Sequence, residues 1–334
     1  MKGPVRVAVV GATGMVGQEM RRILYERRLP VKTLIPVASH KSVGGSVDFG
    51  GTSLQLISME DALALQPEIA LFSAGGEVSK EWAPKFVDQG CVVIDNSSAW
   101  RMEPHIPLIV PEVNGAGLQK TDLLIANPNC STIQLVMVLR PLAEKYRIKR
   151  VIVSTYQSVT GTGYRAVNQL MQERRGEEPS EVAYPHPIDL NLIPHCDVFE
   201  EADYTKEELK LLRESRKILG LPDLALSATA VRVPVTGGHS ESVNIEFDQE
   251  VPPDEVRRIL QHTPGLMVQD NPQQNSYPMP RFAQGKDEVF VGRIRRDLSH
   301  PNAINLFIVS DNLRKGAATN AVQIAELVLQ LHNA

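Results

Sequence analysis

Cys130 stands where a turn gives way to an apolar run. The hexapeptide "NPNCST" (127–132) is followed at once by "IQLVMVLRPL". Pro128 and Asn129 are turn formers, and the pattern predicts a helix from about Ser131. A thiolate at that point would face the unpaired amides of the first helical turn, which lower its pKa and raise its reactive fraction at neutral pH. The other two cysteines sit differently. Cys91 opens the apolar "CVVID" and Cys196 lies in "IPHCDVF", so both read as small buried hydrophobes. His186, His195 and Cys196 match no zinc-ligand spacing, and no metal is expected.

A nucleophilic thiol needs a proton-handling partner. Of the eight histidines, His239 is the best placed, because "TGGHSESVNIEF" sets it after a Gly-Gly turn at the mouth of a strand. A satisfied surface histidine would fit the same pattern. Arg232, in the apolar strand "AVRVPV", is a cation that is costly there unless it meets an anion. Arg101, in "NSSAWR", follows a strand end and is a second anion-binding candidate. Glu207 and Lys210, three apart in "EELK", suit a solvated helix pair equally well.

A second centre of chemistry lies at the N-terminus. "GATGMVG" follows the β-branched run "VRVAVV" (5–10) and precedes a helical stretch, with glycines at 11, 14 and 17. The spacing G-x-x-G-x-x-G differs from the usual G-x-G-x-x-G, but the logic holds. Glycine permits a tight turn and close phosphate approach, and the helix N-terminus faces the anion. An NAD site places a carboxylate about 20 residues beyond the loop. Here "VASHKSVGG" (37–45) offers Ser39, Lys41 and Ser42 and no carboxylate before Asp48. Hydroxyls and a cation suit a 2′-phosphate, so NADP is favoured over NAD. The competing reading is an ordinary polar loop.

These residues must be carried by a scaffold, and the chain divides in character. Up to about residue 147, short β-branched runs (5–10, 31–38, 54–58, 69–74, 91–97, 123–128) alternate with helical stretches such as 15–28 and 80–90. That alternation means βαβ units and a mostly parallel sheet covered on both faces. From about 148 the strands are longer and partly alternating: "KRVIVSTYQS", "LALSATAVRVPV", "ESVNIEFDQEV", "DEVFVGRIRRDL" and "AINLFIVSDN". Helices are fewer there, the clearest at 205–219 and 253–262, which predicts a mixed or antiparallel sheet half covered by helices. The last twenty residues form an amphipathic helix.

Composition bounds the rest. The 334 residues suggest about two domains. Thirty-five basic residues face 39 acidic ones, giving a net charge of −4 with no basic stripe, so no nucleic-acid partner is expected. No apolar run reaches the ~18–20 residues of a membrane span, and the short "VRVAVV" runs straight into a glycine loop, unlike a signal peptide. Three scattered cysteines make no disulfide framework, which points to a reducing, cytoplasmic setting.

Taken in order, "GATGMVG", "SAGGEVSKEWAP", "DNSSAWRM", "PEVN", "NPNCST", "TYQSVTGTG", "VRVPVTGGHSES" and "GAATNAVQIAE" resemble the aspartate-β-semialdehyde dehydrogenase family from end to end. Inactive paralogues in that family lack the cysteine; Cys130 is present here. The resemblance implies an α/β fold: a Rossmann-like parallel-sheet NADP-binding domain (1–129 with 313–334) and an α+β catalytic and dimerisation domain with a mixed sheet (130–312). It also implies a homodimer, with the C-terminal helix packed on the first domain.

The implied reaction is NADPH-dependent reductive dephosphorylation of L-aspartyl 4-phosphate to L-aspartate 4-semialdehyde. It is an early step toward lysine, diaminopimelate, threonine and methionine. By the same likeness Cys130 forms a thioester, His239 is the acid/base and Gln157 orients the intermediate. Arg232 holds the substrate carboxylate and Glu207 its amino group, while Arg101, Lys210 and Asn129 bind phosphate. The likeness assigns the cofactor to Gly11, Thr13, Gly14, Met15, Val16, Ser39, Lys41, Ser42, Thr160, Gly161 and Asn320. An N-acetylglutamyl-phosphate reductase would run the same chemistry without a free amino group to recognise, which Glu207 argues against. A glyceraldehyde-3-phosphate dehydrogenase has a different cysteine motif and wants a carboxylate after the second strand. A non-catalytic dinucleotide-binding regulator would not need Cys130, His239 and Gln157 together.

Overall fold

The computed structural model describes residues 3–333. They form two compact units, 3–129 with 317–333 and 130–316.

The first unit comprises β1 (Val5–Val10), α1 (Met15–Glu26), β2 (Val31–Val37), β3 (Ser46–Phe49), β4 (Thr52–Gln55), α2 (Met59–Ala64), β5 (Ile69–Phe72), α3 (Gly76–Val87), β6 (Val92–Asp95), α4 (Pro111–Asn114) and β7 (Leu124–Ala126). The C-terminal helix Thr319–Asn333 completes it. Five strands make one parallel sheet in the order β2-β1-β5-β6-β7. Successive side chains point to opposite faces, and both faces are buried. Val7 and Val9 of β1, with Ile69 and Leu71 of β5, pack with α1 and the C-terminal helix. Ala8 and Val10, with Ala70 and Phe72, pack on the other face with Ala83 and Phe86 of α3. From β1 the chain goes first to β2 on one side and later to β5 on the other. The carboxyl end of β1 is therefore the topological switch point, where open α/β sheets bind ligands.

One expected sheet strand is different. Residues 52–55 pair antiparallel with β3 as a hairpin outside the parallel sheet, and Ile57 makes a single bridge to Val37. The cause is the two-residue loop Gly50-Gly51, with φ +59° and +84°, the left-handed pair that a tight hairpin requires.

The second unit comprises α5 (Cys130–Ala143), β8 (Ile148–Ser158), α6 (Tyr164–Arg174), α7 (Lys206–Leu219), β9 (Ala225–Val233), β10 (His239–Phe247), α8 (Pro253–Gln261), β11 (Leu266–Val268), α9 (Pro280–Ala283), β12 (Val289–Arg296) and β13 (Ala303–Ser310). The C-terminal helix of the first unit is α10. A six-stranded mixed sheet runs β11-β12-β13-β10-β8-β9, with parallel pairs at its two ends and antiparallel pairs between. Helix α5 lies against its central strands, flanked by α7 and α8. Every residue of α5 from Ser131 to Leu139 is buried, as an apolar helix without a polar stripe must be. Helix α7 starts with a capping box between Thr205 and Glu208 and stops at Gly220 in the left-handed conformation. Helix α6, which the sequence pattern did not single out, buries only Ala166, Gln169 and Leu170, too narrow a stripe to stand out among polar neighbours. The fold is α/β, a Rossmann-like parallel sheet in one unit and a mixed sheet in the other.

Candidate active site

Three adjacent strands of the second unit bring Arg232, Gln157 and His239 to one end of the mixed sheet. Gln157 of β8 pairs in register with Arg232 of β9. His239 lies one residue before Ser240 of β10, which pairs with Tyr156. Cross-strand neighbours share a face, and all three side chains are buried.

The Gln157 amide organises that face. Its Nε2 donates to Ser131 Oγ of α5 at 3.1 Å, to Glu207 Oε1 of α7 at 3.1 Å and, more weakly, to Thr155 Oγ1 at 3.3 Å. Glu207 and Lys210 share one face of α7 because they are three residues apart. Lys210 Nζ donates to Glu207 Oε2 at 3.2 Å and to Asp197 Oδ2 at 2.7 Å. Burial would raise the Asp197 carboxyl, but the Lys210 hydrogen bond and charge outweigh it and hold it below its ordinary value. The two residues are thus nearly buried and jointly held in place, unlike a solvated surface pair.

Arg232 donates from Nη1 to the Ser158 carbonyl at 2.7 Å, and its guanidinium lies 5.8 Å from the ring centre of Tyr184. Its buried Nε has no hydrogen-bond partner among the described residues. His239 accepts at Nδ1 from the Ser158 backbone amide at 3.0 Å. Its Nε2 is buried and makes no hydrogen bond among the described residues. Burial above all, then the Arg232 cation, push this imidazole down to about 3, against weaker opposition from Glu207 and the Gly238 carbonyl.

The 3₁₀ turn Val159–Thr162 follows β8 and is pinned at Thr160, whose hydroxyl donates to Asn312 Oδ1 at 3.1 Å and pairs with Ser158 Oγ at 2.6 Å. Gly161, in the same turn, lies against both Arg232 and His239. A Cβ there would stand 3.0 Å from Arg232 Nη1 and 3.1 Å from His239 Nε2.

Cys130 is the first residue of α5, one position earlier than the sequence pattern suggests, and half-buried. Gly316 packs against it, since a Cβ there would lie 2.9 Å from the Cys130 Cβ. Cys91 and Cys196 are buried, and burial pushes the Cys91 thiol up and that of Cys196 up to about 11. His195 stacks on Phe199, ring centres 4.5 Å apart. Among the described residues no group of His, Cys, Asp and Glu is arranged to hold a metal ion.

Several contributors escaped the sequence reading. Ser131 and Thr155 accept from Gln157, Asp197 holds Lys210, and Ser158 acts through its backbone. Glu241, two residues beyond His239 on the same face of β10, is completely buried. Among the described residues neither of its carboxyl oxygens, and neither amide atom of the buried Gln134 that faces it, closes a hydrogen bond. Burial raises this carboxyl to about 8; the Gln134 amide opposes and the Glu207 charge adds to the shift. A glutamate beside a histidine in a strand gives no sequence sign of this burial.

The first unit carries the glycine loop. Gly11 has φ +80°, and a Cβ on it would meet the Ser73 carbonyl oxygen at 2.4 Å. Gly14 is the extended N-cap of α1, ahead of Met15 and Val16. Gly17 allows the helix to sit on the loop, because a Cβ there would stand 2.1 Å from the Gly11 carbonyl oxygen. The Gly11 and Ala12 amides donate to the Val37 carbonyl, and the Gln18 side chain donates to that of Thr13. Ser39 to Ser42 form a turn directly after β2, closed by the Ser42 amide on the Ser39 carbonyl at 2.8 Å, with Lys41 exposed. A cavity of about 270 Å³ opens at the ends of β1 and β2, lined by Gly11, Ser39, His40, Met59 and Trp82 among others. Of these, only Gly11 and Ser39 were singled out from the sequence.

Arg101 is buried in the first unit and donates to the main-chain carbonyls of Asn127 and Asn96 at 2.9 and 2.8 Å. Asn320 of α10 donates to the Ile109 carbonyl at 2.9 Å and to Asn127 Oδ1 at 2.7 Å. Asn129, also buried, is the last residue before the unit boundary. No helix among the described residues is long and apolar enough to cross a membrane.

Comparison with known proteins agrees with this layout. Residues 6–121 match the family model described as semialdehyde dehydrogenase, NAD binding domain, and residues 139–315 the one described as semialdehyde dehydrogenase, dimerisation domain. The aspartate-semialdehyde dehydrogenase of Aquifex aeolicus is 51% identical over 333 residues, covering 97% of this chain and 98% of the relative. That of Legionella pneumophila is 47% identical, with 98% and 96% covered. The crystal structure of aspartate semialdehyde dehydrogenase II from Vibrio cholerae complexed with ASA superposes with a TM-score of 0.94 at 42% identity, covering 98% of this chain and 99% of that one. The chain belongs to the aspartate-semialdehyde dehydrogenase family.

Proposed function

We propose that the protein is an NADPH-dependent aspartate-semialdehyde dehydrogenase acting through a cysteine thioester on L-aspartyl 4-phosphate. The observation that carries this reading is the row Arg232–Gln157–His239 across three strands, in the unit that Cys130 opens. A dicarboxylate-derived acyl phosphate with a free amino group needs two anion sites, a carboxylate for the ammonium, a nucleophile and an oxyanion donor. Arg232 offers the bidentate partner for the α-carboxylate. Glu207, aligned by Gln157 and Lys210, pairs with the ammonium. Lys210, Arg101 and Asn129 take the phosphate. Cys130, at the N-terminus of α5, attacks the acyl carbon and expels phosphate, splitting one hard reduction into two easier steps. His239 is the acid/base that serves the oxygen of the reacting carbonyl, and Gln157 orients the acyl group. A relative of 42% identity solved with ASA supports this choice of substrate.

The glycine loop fits a dinucleotide: Gly11 and Gly17 have no room for side chains, and the adjoining cavity suits an adenine ring. When bound, the nicotinamide supplies hydride. Gly11, Thr13, Gly14, Met15 and Val16 would line the pyrophosphate, and Ser39, Lys41 and Ser42 the 2′-phosphate. Thr160, Gly161 and Asn320 shape the nicotinamide end. The reading extends to a homodimer working in a reducing, cytoplasmic setting, on the route to lysine, diaminopimelate, threonine and methionine.

Initial rates with aspartate semialdehyde, phosphate and NADP⁺, and with aspartyl phosphate and NADPH, test it. Turnover of N-acetylglutamyl phosphate in preference to aspartyl phosphate would overturn it.

A further inference from the structure

We propose that Glu241 and Gln134 form a buried acid–amide pair that ties the first turn of α5 to the start of β10, and that both are positioning residues for Cys130 and His239. The inference rests on the thioester reading above and names what sets the geometry between its nucleophile and its acid/base.

Two spacings place the pair. Gln134 is four residues beyond Cys130 on α5, about 6 Å along the helix and on the same face. Glu241 is two residues beyond His239 on β10, about 7 Å along the strand and on the same face. Helix α5 packs against β10, and Gln134 faces Glu241. Helix and strand therefore advance by nearly equal steps from Cys130 and His239 to this contact.

The surroundings leave the two side chains to each other. Both are buried. The strand neighbours of Glu241 are Thr155 of β8 and Ile308 of β13. Thr155 already accepts from Gln157, and Ile308 is apolar. Glu207 of α7 is the nearby charge, and it is an anion. Both carboxyl oxygens of Glu241 and both amide atoms of Gln134 have no other partner among the described residues. An ionised carboxylate only accepts, so it would use the amide nitrogen and strand the amide oxygen. A protonated carboxyl donates as well. With that proton in place its O–H meets the Gln134 oxygen, and the Gln134 N–H meets its carbonyl oxygen. The pair then satisfies itself, whereas either partner alone is a buried polar group without a bond. Burial and the Glu207 charge favour the same neutral form.

Cys130 and His239 are each the first residue of their element, and element ends fray. A tie one turn and one pleat inward holds both starts in one arrangement. Arg232 and Glu207, assigned to the substrate, stand on β9 and α7, outside the tie. Its loss therefore acts on kcat more than on KM.

The test measures kcat and KM for aspartate semialdehyde, with phosphate and NADP⁺, in full-length E241Q, Q134E and the swapped double variant Q134E/E241Q, each shown by a thermal melt to be folded at the assay temperature. Parental turnover is read first: its absence overturns the thioester reading and this inference together. Q134E opposes two carboxyls that repel once both ionise. It is expected to lose at least about tenfold in kcat, with KM within about threefold, since an ångström of misplacement costs about 10²-fold. Q134L, which leaves the carboxyl alone, takes its place if Q134E does not fold. E241Q, an amide–amide pair, and the swap, with the acid on α5 and the amide on β10, are expected within about threefold of the parent, as a coupled pair requires. The infrared difference between parent and E241Q at pH 6 should show the C=O stretch of a protonated carboxyl. Parental kcat in the disrupted variant, a loss confined to KM, a swap no faster than the disrupted variant, or no such infrared band overturns the inference alone.

Discussion

Gly161 lies against the imidazole of His239, so close that a Cβ on it would stand 3.1 Å from Nε2. The same Cβ would be 3.0 Å from Arg232 Nη1. No positive φ is involved, so G161A adds crowding without backbone strain. The variant is expected to fold with little change in melting temperature and to lose about tenfold in kcat, since the two side chains must give way by a few tenths of an ångström and a full ångström costs about 10²-fold. Steady-state rates beside a thermal melt decide it. Parental kcat would mean that the face of Gly161 is not where the substrate oxygen sits.

C130A removes one sulfur atom from a half-buried helix start. Folding and NADPH binding should persist while turnover vanishes. Measurable phosphate release from aspartyl phosphate at more than about one part in a thousand of the parental rate would exclude Cys130 as the nucleophile, given the dependence of such reactions on their covalent step.

Lys41 is exposed in the turn after β2 and is assigned to the 2′-phosphate. K41A should raise the KM for NADPH about tenfold, the scale of one charge-assisted contact, and leave that for NADH nearly unchanged. Equal loss with both cofactors would remove the 2′-phosphate assignment.

Glu241 sets a pH dependence of stability. Burial raises its carboxyl from 4.5 to about 8, so the folded chain keeps a proton that the unfolded chain has released. The contribution is fully present below pH 4.5 and is lost as pH rises toward 8. E241Q keeps the shape and has no charge to bury. The variant should therefore gain stability on the parent as pH goes from 5 to 8, by an amount of order a few kcal/mol. His239 acts in the opposite window, losing stability as pH falls from 6.5 toward 3, and cancels in the comparison of the two proteins. Parallel denaturation curves across that range would mean that Glu241 is already ionised or hydrated in the fold.

Much of the molecule was legible without coordinates, because local chemistry sets it. Short β-branched runs gave the strands of the parallel sheet and partly alternating runs those of the mixed sheet except the short β11, and "GATGMVG" gave the loop and helix that the parallel sheet requires. The Asn-Pro-Asn turn gave the start of α5 to within one residue. Cys130 and Arg232 could be picked out because a cysteine at a helix start and a cation in an apolar strand each conflict with the ordinary use of that residue, whereas His239 after its glycine turn fitted a satisfied surface histidine as well. What tertiary structure decided was partnership. Gln157 and Arg232 become neighbours through a register set by core packing across β8 and β9, 75 positions apart. The state of His239 depends on a backbone amide at Ser158, 81 residues away in sequence, and a main-chain group has no signature of its own. The high pKa of Glu241 and the tether on Lys210 from Asp197 likewise come from burial and from long-range contacts. The sequence determined which groups could do chemistry, since that depends on residue type and immediate neighbours. The fold decided which atoms face one another and which are dry, and so which protonation states they hold.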